Sequence, residues 1–188
     1  MSSEPPPFER HDPNRYTATL AYRPRDQLPR DLTALATDAV LMLDTTVYID
    51  AQKAKLPIDL AARLAGAEIL HCAIALGEIA AGLGLLDPKH PGTPAIRKVL
   101  LETLAKADPA RSVAPSADAW LEASTMAGTL ARTQGLPKHD RRKLLNDALL
   151  FLTAGETQAV LVSRNSNEMD LLLRLRPDVQ VLLYDLKP

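Results

Sequence analysis

Ala39-Val40-Leu41-Met42-Leu43-Asp44-Thr45-Thr46 is the stretch that decides the fold. Five consecutive apolar residues read as a short strand buried on both faces, the kind found inside a parallel sheet. An acid closes the run and a helical pattern follows. In open parallel sheets, sites form at the carboxyl ends of strands, and Asp44 stands at such an end.

Two further acids interrupt apolar stretches downstream. Glu78 is the only charge between Ala73 and Leu86, and Asp147 breaks the run Leu144-Leu145-Asn146-Asp147-Ala148-Leu149-Leu150-Phe151-Leu152. Neither has Lys or Arg as an immediate neighbour. A helix that is apolar nearly all round is a buried helix, and an isolated buried carboxylate is costly unless a cation pairs with it. A cluster of oxygen donors suits a hard divalent ion, Mg²⁺ or Mn²⁺ as its substitute. Zinc would call for His or Cys, and neither His71 nor Cys72 has a matching second pair.

Outward from these positions, short apolar runs alternate with longer helical stretches, which predicts an α/β fold. Strands are expected at 39–43, 68–71, 111–114, 159–163 and 179–184. Helices are expected at 46–52, 59–66, 73–86, 94–106, 116–134, 141–154 and 167–173. Ser116 has an N-cap residue type, Gly135 and Pro137 break the chain after Gln134, and Pro88 and Pro91 break it after Leu86. Residues 1–35 differ: Pro5, Pro6, Pro7, Pro13, Pro24 and Pro29 lie among acids and arginines. Proline at this density sustains neither a helix nor a central strand. The segment reads as an extended arm with a short edge strand at 16–20, loosely packed or ordered by a partner and dispensable for folding. Residues 36–188 form the domain.

With 188 residues, 46% of them hydrophobic, the chain suits one core. A net charge of -1 provides no global positive field, so any nucleic-acid contact must come from a local patch. The single Cys72 reads as a small core side chain, which suggests a reducing, cytoplasmic compartment. No run approaches the roughly 20 apolar residues of a membrane span, and the N-terminus lacks an apolar signal-peptide segment, so no membrane partner is expected.

Four segments together resemble PIN-domain nucleases, most closely the VapC-type toxins. They are Leu43-Asp44-Thr45-Thr46-Val47-Tyr48-Ile49, Leu76-Gly77-Glu78-Ile79-Ala80-Ala81-Gly82, Asn146-Asp147-Ala148-Leu149-Leu150-Phe151, and Leu161-Val162-Ser163-Arg164-Asn165. The resemblance implies an RNase H-like three-layer α/β/α sandwich with a mainly parallel sheet. It also implies a Mg²⁺-dependent endoribonuclease acting on RNA, a cognate antitoxin and a homodimer. Asp44, Glu78 and Asp147 would be the metal-binding acids, with Asn165 as fourth catalytic position where many members carry Asp. Thr46 stands where the family often has Asn. With one charge fewer, one tightly held metal is expected rather than two.

Other readings of the same residues stay open. Asp44 taken alone is also a good helix N-cap, although capping explains neither Glu78 nor Asp147. Glu168 is either a further carboxylate or a solvated acid at a helix start. The run Lys138-His139-Asp140-Arg141-Arg142-Lys143 is either a solvated helix start or a guide for phosphate through Arg141, Arg142 and Lys143, with Arg164 a further candidate contact. A non-catalytic PIN-like interaction module and a metal-dependent phosphatase are the competing functions. The phosphatase would need a second Asp at the position of Thr46.

Overall fold

In the computed structural model, which describes residues 6–186, each predicted apolar run forms a strand. These are β1 (Leu41–Leu43), β2 (Ile69–Cys72), β3 (Ser112–Val113), β4 (Val160–Ser163) and β5 (Val181–Leu183). Between them lie α1 (Thr45–Gln52), α2 (Ile58–Ala65), α3 (Ala73–Gly84), α4 (Thr93–Ala105), α5 (Ala117–Thr133), α6 (Arg141–Glu156) and α7 (Ser166–Leu175). The first five residues of the arm and the last two of the chain lie outside the described residues.

All four strand pairs are parallel, in the order β3-β2-β1-β4-β5. The chain builds outward from β1 to β3 on one side, then returns to place β4 against the other side of β1. The boundary between β1 and β4 is therefore the topological switch point, where the loops leaving two neighbouring strands diverge and open a crevice.

Side chains alternate across the sheet with a period of two. Leu41, Leu43, Val160, Val162, Leu182 and Tyr184 share one core with Val47 of α1 and Leu60 of α2. Met42, Leu161, Val181 and Leu183 face the larger core, which α5, α6 and α7 fill. Helices thus cover both faces, giving the expected three layers. α6 is buried from Asp147 to Ala154, as its largely apolar sequence requires. Cys72 is buried in the larger core, and burial pushes its thiol above its usual range. Among the described residues, no helix is long and apolar enough to cross a membrane.

Two helix ends follow directly from local sequence. Ser116 Oγ accepts the Ala119 N–H at 3.0 Å at the start of α5. At its end Gly135 adopts φ +64°, and the Leu136 N–H returns to the Ala131 carbonyl at 2.9 Å, closing a Schellman motif.

The arm departs from expectation. Residues 16–20 form no strand; short 3-10 turns punctuate the segment instead, and it lies along the domain. Tyr16, Leu20 and Leu28 pack against the larger core, and His11 is 2% exposed. Arg10 and His11 reach buried Glu122 of α5 at 2.8 and 3.0 Å. Arg23 bonds buried Asp170 of α7 through both its backbone N–H and Nε. Near its end, the Pro29 carbonyl accepts the Leu183 N–H at 2.7 Å, beside edge strand β5. Proline excludes α-helix and strand here, but it does not prevent side-chain anchoring.

Candidate active site

Asp44 occupies the N-cap position of α1 yet makes no capping bond. Its Oδ2 instead accepts two hydroxyls, from Thr46 at 2.8 Å and from Ser163 at the end of β4 at 2.5 Å. The carboxylate is therefore turned towards the crevice between β1 and β4. It is 4% exposed, and burial raises its pKa above the ordinary value against the pull of these hydroxyls.

Glu78 enters from α3, two turns beyond the end of β2. Thr45 donates to its Oε2 at 2.6 Å and Asn146 Nδ2 to its Oε1 at 2.8 Å. Asp147, on α6, is 7% exposed and receives one bond, from Asn165 Nδ2 at 3.3 Å. Burial first, then the charges of Asp44, Glu168 and Glu78, push its pKa up to about 8; Lys143 opposes them. Asn165 also uses its backbone N–H on Ser163 Oγ at 3.0 Å. Four elements thus direct Asp44, Glu78, Asp147 and Asn165 into one cavity of about 380 Å³, which Thr45, Thr46, Ile49, Lys143 and Arg164 complete.

The basic candidates divide. Lys143 and Arg164 line this cavity, whereas Arg141 lines a different one with Ser124, Ala127 and Leu145, and Arg142 is exposed. The cause is helical: successive residues of α6 point about 100° apart, so a run of three cannot face one site. Glu168 lies in the first turn of α7 and pairs with Lys143 at 3.3 Å, so it meets the cavity only through that lysine and through its charge on Asp147.

Three positions were not legible as part of the site. Thr45 and Asn146, each adjacent in sequence to a site acid, hold Glu78. Asp50, six residues after Asp44, is 2% exposed and accepts Arg164 Nε at 2.7 Å and the Tyr184 hydroxyl at 2.8 Å. Its sequence signal was an acid within a helix whose next turn back carries buried Val47.

The donor set is all oxygen apart from Lys143, Arg164 and the Asn165 amide. His71 Nδ1 is engaged with the Tyr48 hydroxyl at 2.7 Å. Among the described residues, no three His, Cys, Asp or Glu side chains form a ready-made metal cage. Mg²⁺ does not require one: it is commonly held by one or two carboxylates, with water and substrate phosphate completing its octahedron. Asp44 and Asp147, buried and mutually repelling, fit that requirement.

No protein-family model and no curated protein sequence matches this chain. Several solved structures do match in fold. One is VapBC2 from Rickettsia felis bound to a DNA fragment from their promoter, at 21% identity over 78% of this chain and 99% of that one, with a TM-score of 0.52. Another is VapBC-1 from nontypeable Haemophilus influenzae, at 18% identity, 77% and 97% coverage and a TM-score of 0.52. A third is FitAcB from Neisseria gonorrhoeae, at 16%, 76%, 96% and 0.53. The likeness spans nearly the whole of each matched chain, so the five-stranded parallel α/β fold of this protein is the fold found in these VapBC and FitAcB structures.

Proposed function

We propose that the protein is a Mg²⁺-dependent endoribonuclease of the PIN type, the toxin of a toxin–antitoxin pair. The observation that carries the reading is the convergence of Asp44, Glu78 and Asp147 on one cavity at the switch point, with Asp147 buried and pushed up to about 8 by burial and like charge. Structural acids are paired with cations, as Glu122 and Asp170 are here. Asp147 makes no direct ion pair: its one bond is to a neutral amide, and the charge of Lys143 only partly opposes burial and three negative neighbours.

Asp44 and Asp147 would hold the ion, with Mn²⁺ able to replace it. When bound, the ion supplies Lewis acidity to a phosphodiester and lowers the pKa of water at the site. Ser163 and Thr46 fix the orientation of Asp44, and Asn165 does so for Asp147. Glu78, steadied by Thr45 and Asn146, is placed to accept a proton from a water attacking in line, leaving 5'-phosphate and 3'-hydroxyl ends. Lys143 and Arg164, on the cavity wall, meet phosphate oxygens.

The fold neighbours are VapBC and FitAcB structures, which supports an antitoxin as partner, and a homodimer is the assembly we assign. An apolar groove lined by Val47, Ala51, Leu56, Ile58, Ala61 and Leu64 offers a face for a protein segment; Ile58 is 74% exposed there. The test is Asp147→Asn, a near-isosteric change that keeps packing and removes a metal-binding charge. It is expected to fold and to lose Mg²⁺-dependent cleavage of single-stranded RNA; cleavage at the parent rate sinks the reading. A parent with no EDTA-sensitive change in melting temperature and no cleavage would instead be an interaction module. The phosphatase reading lacks its second Asp: Thr46 stands at that position and donates its hydroxyl to Asp44.

A further inference from the structure

Asp50 takes no part in the proposed chemistry, yet it is among the most buried charges in the protein at 2% exposure. It lies on α1, and one of its oxygens, Oδ2, receives both Arg164 Nε at 2.7 Å and the Tyr184 hydroxyl at 2.8 Å. The pair is lopsided. The Asp50 side chain is 3% exposed, whereas that of Arg164 is 39% exposed and lines the cavity with Asp44, Asp147 and Lys143.

A buried ion pair of this kind is weak evidence for stability, because desolvating the acid offsets much of the attraction. What it does fix is direction. Arg164 is held at two points: its backbone N–H donates to Thr46 Oγ1 at 3.3 Å, and its Nε is bound to Asp50. With Nε engaged and the Tyr184 hydroxyl alongside, the guanidinium plane is set, and the group presents to the cavity the planar fork that matches phosphate. The same Thr46 hydroxyl bonds Asp44 Oδ2, so the anchor and the site acid share one support.

We infer that Asp50, braced by Tyr184, is a positioning residue that aims the Arg164 guanidinium into the cavity as the clamp for a phosphodiester flanking the cleaved bond. This rests on the reading of the cavity as an RNA site. Lys143, a flexible point charge already paired with Glu168, supplies attraction without orientation.

The test is a double-mutant cycle on Asp50 and Arg164. Binding is read by anisotropy of a fluorescein-labelled single-stranded RNA in EDTA, where the RNA stays intact, and cleavage of the same RNA is followed in Mn²⁺. Arg164→Gln is expected to weaken binding roughly tenfold and to flatten its salt dependence by about 0.7 of a slope unit. Asp50→Asn shifts both quantities in the same direction, and the double variant is no weaker than Arg164→Gln alone. In cleavage the loss falls on KM rather than kcat. Because Asp50 is the buried member and Arg164 the wet one, Asp50→Asn removes the desolvated charge and strands none, so the fold is expected to persist. Tyr184→Phe gives a second route: it leaves Asp50 in place with a single donor, and its smaller binding loss is expected to vanish in the Arg164→Gln background.

Asp50→Asn binding RNA with the parent's affinity and salt slope overturns the proposal, as does a loss that adds in full to that of Arg164→Gln. A parent that binds no RNA overturns it too. A parent that follows the whole binding cycle but cuts no RNA in Mn²⁺ leaves the positioning role standing and removes the nuclease reading instead.

Discussion

Five buried acids of one chemical type have five different surroundings here, and those surroundings set what each can do. Asp44 receives hydroxyls, Asp147 an amide, Asp50 one arginine and a phenol, Asp170 an arginine from the arm, and Glu122 a cluster of cations. The charge of Asp44 is unwelcome without metal, since burial raises its pKa and hydroxyls only partly compensate. Asp44→Asn is therefore expected to raise the melting temperature in EDTA, by roughly 3 °C if about 1 kcal/mol of repulsion is relieved. The same variant should lose most of the stabilisation that Mn²⁺ gives the parent, and differential scanning fluorimetry measures both. Glu122 has the opposite sign. Burial pushes its pKa up, but the bonds to His11 and Arg176 and the charges of Arg176 and Arg10 outweigh it and hold the carboxyl at about 2 instead of 4.5. A depressed acid contributes stability that is complete above its unfolded pKa and disappears as pH falls through the folded one. The parent should thus lose stability between pH 4.5 and about 2, and Glu122→Gln should flatten that stretch of an acid titration followed by circular dichroism.

Helix ends are decided within a few residues, and the two ends after α5 and α6 make a matched pair. Both close with a left-handed residue: Gly135 at φ +64° after α5, and Gln158 at φ +56° after α6. In each case the next N–H returns to a carbonyl in the last turn, Leu136 to Ala131 at 2.9 Å and Ala159 to Ala154 at 3.0 Å. The left-handed region costs a residue with a Cβ about 1–2 kcal/mol, and glycine almost nothing. Gly135→Ala is expected to destabilise by about 1 kcal/mol, whereas Gln158→Gly should be neutral or stabilising by up to about 1 kcal/mol. Urea unfolding midpoints give both numbers; equal losses from the two changes would show that side-chain contacts rather than backbone strain control these caps. Gly135 was legible because a glycine with a proline two residues on marks a helix stop. Gln158 was not, because nothing in its side chain announces a left-handed backbone.

At the scale of the molecule, the arm works as a strap that crosses α5, α7 and β5. Its contacts span the chain: Arg10 lies 112 residues from Glu122, and Arg23 lies 147 residues from Asp170. Asp170 is 1% exposed and Arg23 is its cation, although the Arg23 backbone N–H bonds it as well. Arg23→Ala should therefore cost about 3 kcal/mol, near the lower bound for stranding a buried charge. Adding Asp170→Asn should recover much of that loss, because the stranded charge is then gone. Thermal melts of the single and double variants check it; additive losses would mean the arginine acts by packing alone. Removal of residues 1–35 is expected to lower the melting temperature and expose Glu122 and Asp170, rather than leave the domain untouched as its proline content suggests.

Among the described residues, the amino-acid sequence alone determined the five strands and seven α-helices and their order, though not the absence of a strand at 16–20, and the acids Asp44, Glu78 and Asp147 as chemically exceptional. Each of these is a local property: the hydrophobic period, the caps and a charge without a neighbouring cation can all be read within one turn or one strand. The tertiary structure alone decided which acids share a cavity and which are neutralised at a distance. It placed Lys143 in the cavity and Arg141 outside it, gave Asp50 its arginine from 114 residues away, and turned a proline-rich segment into a fitted strap. Those outcomes depend on the direction of side chains on packed elements. That direction is fixed only when sheet order and helix rotation bring distant residues together, so no window of sequence contains it.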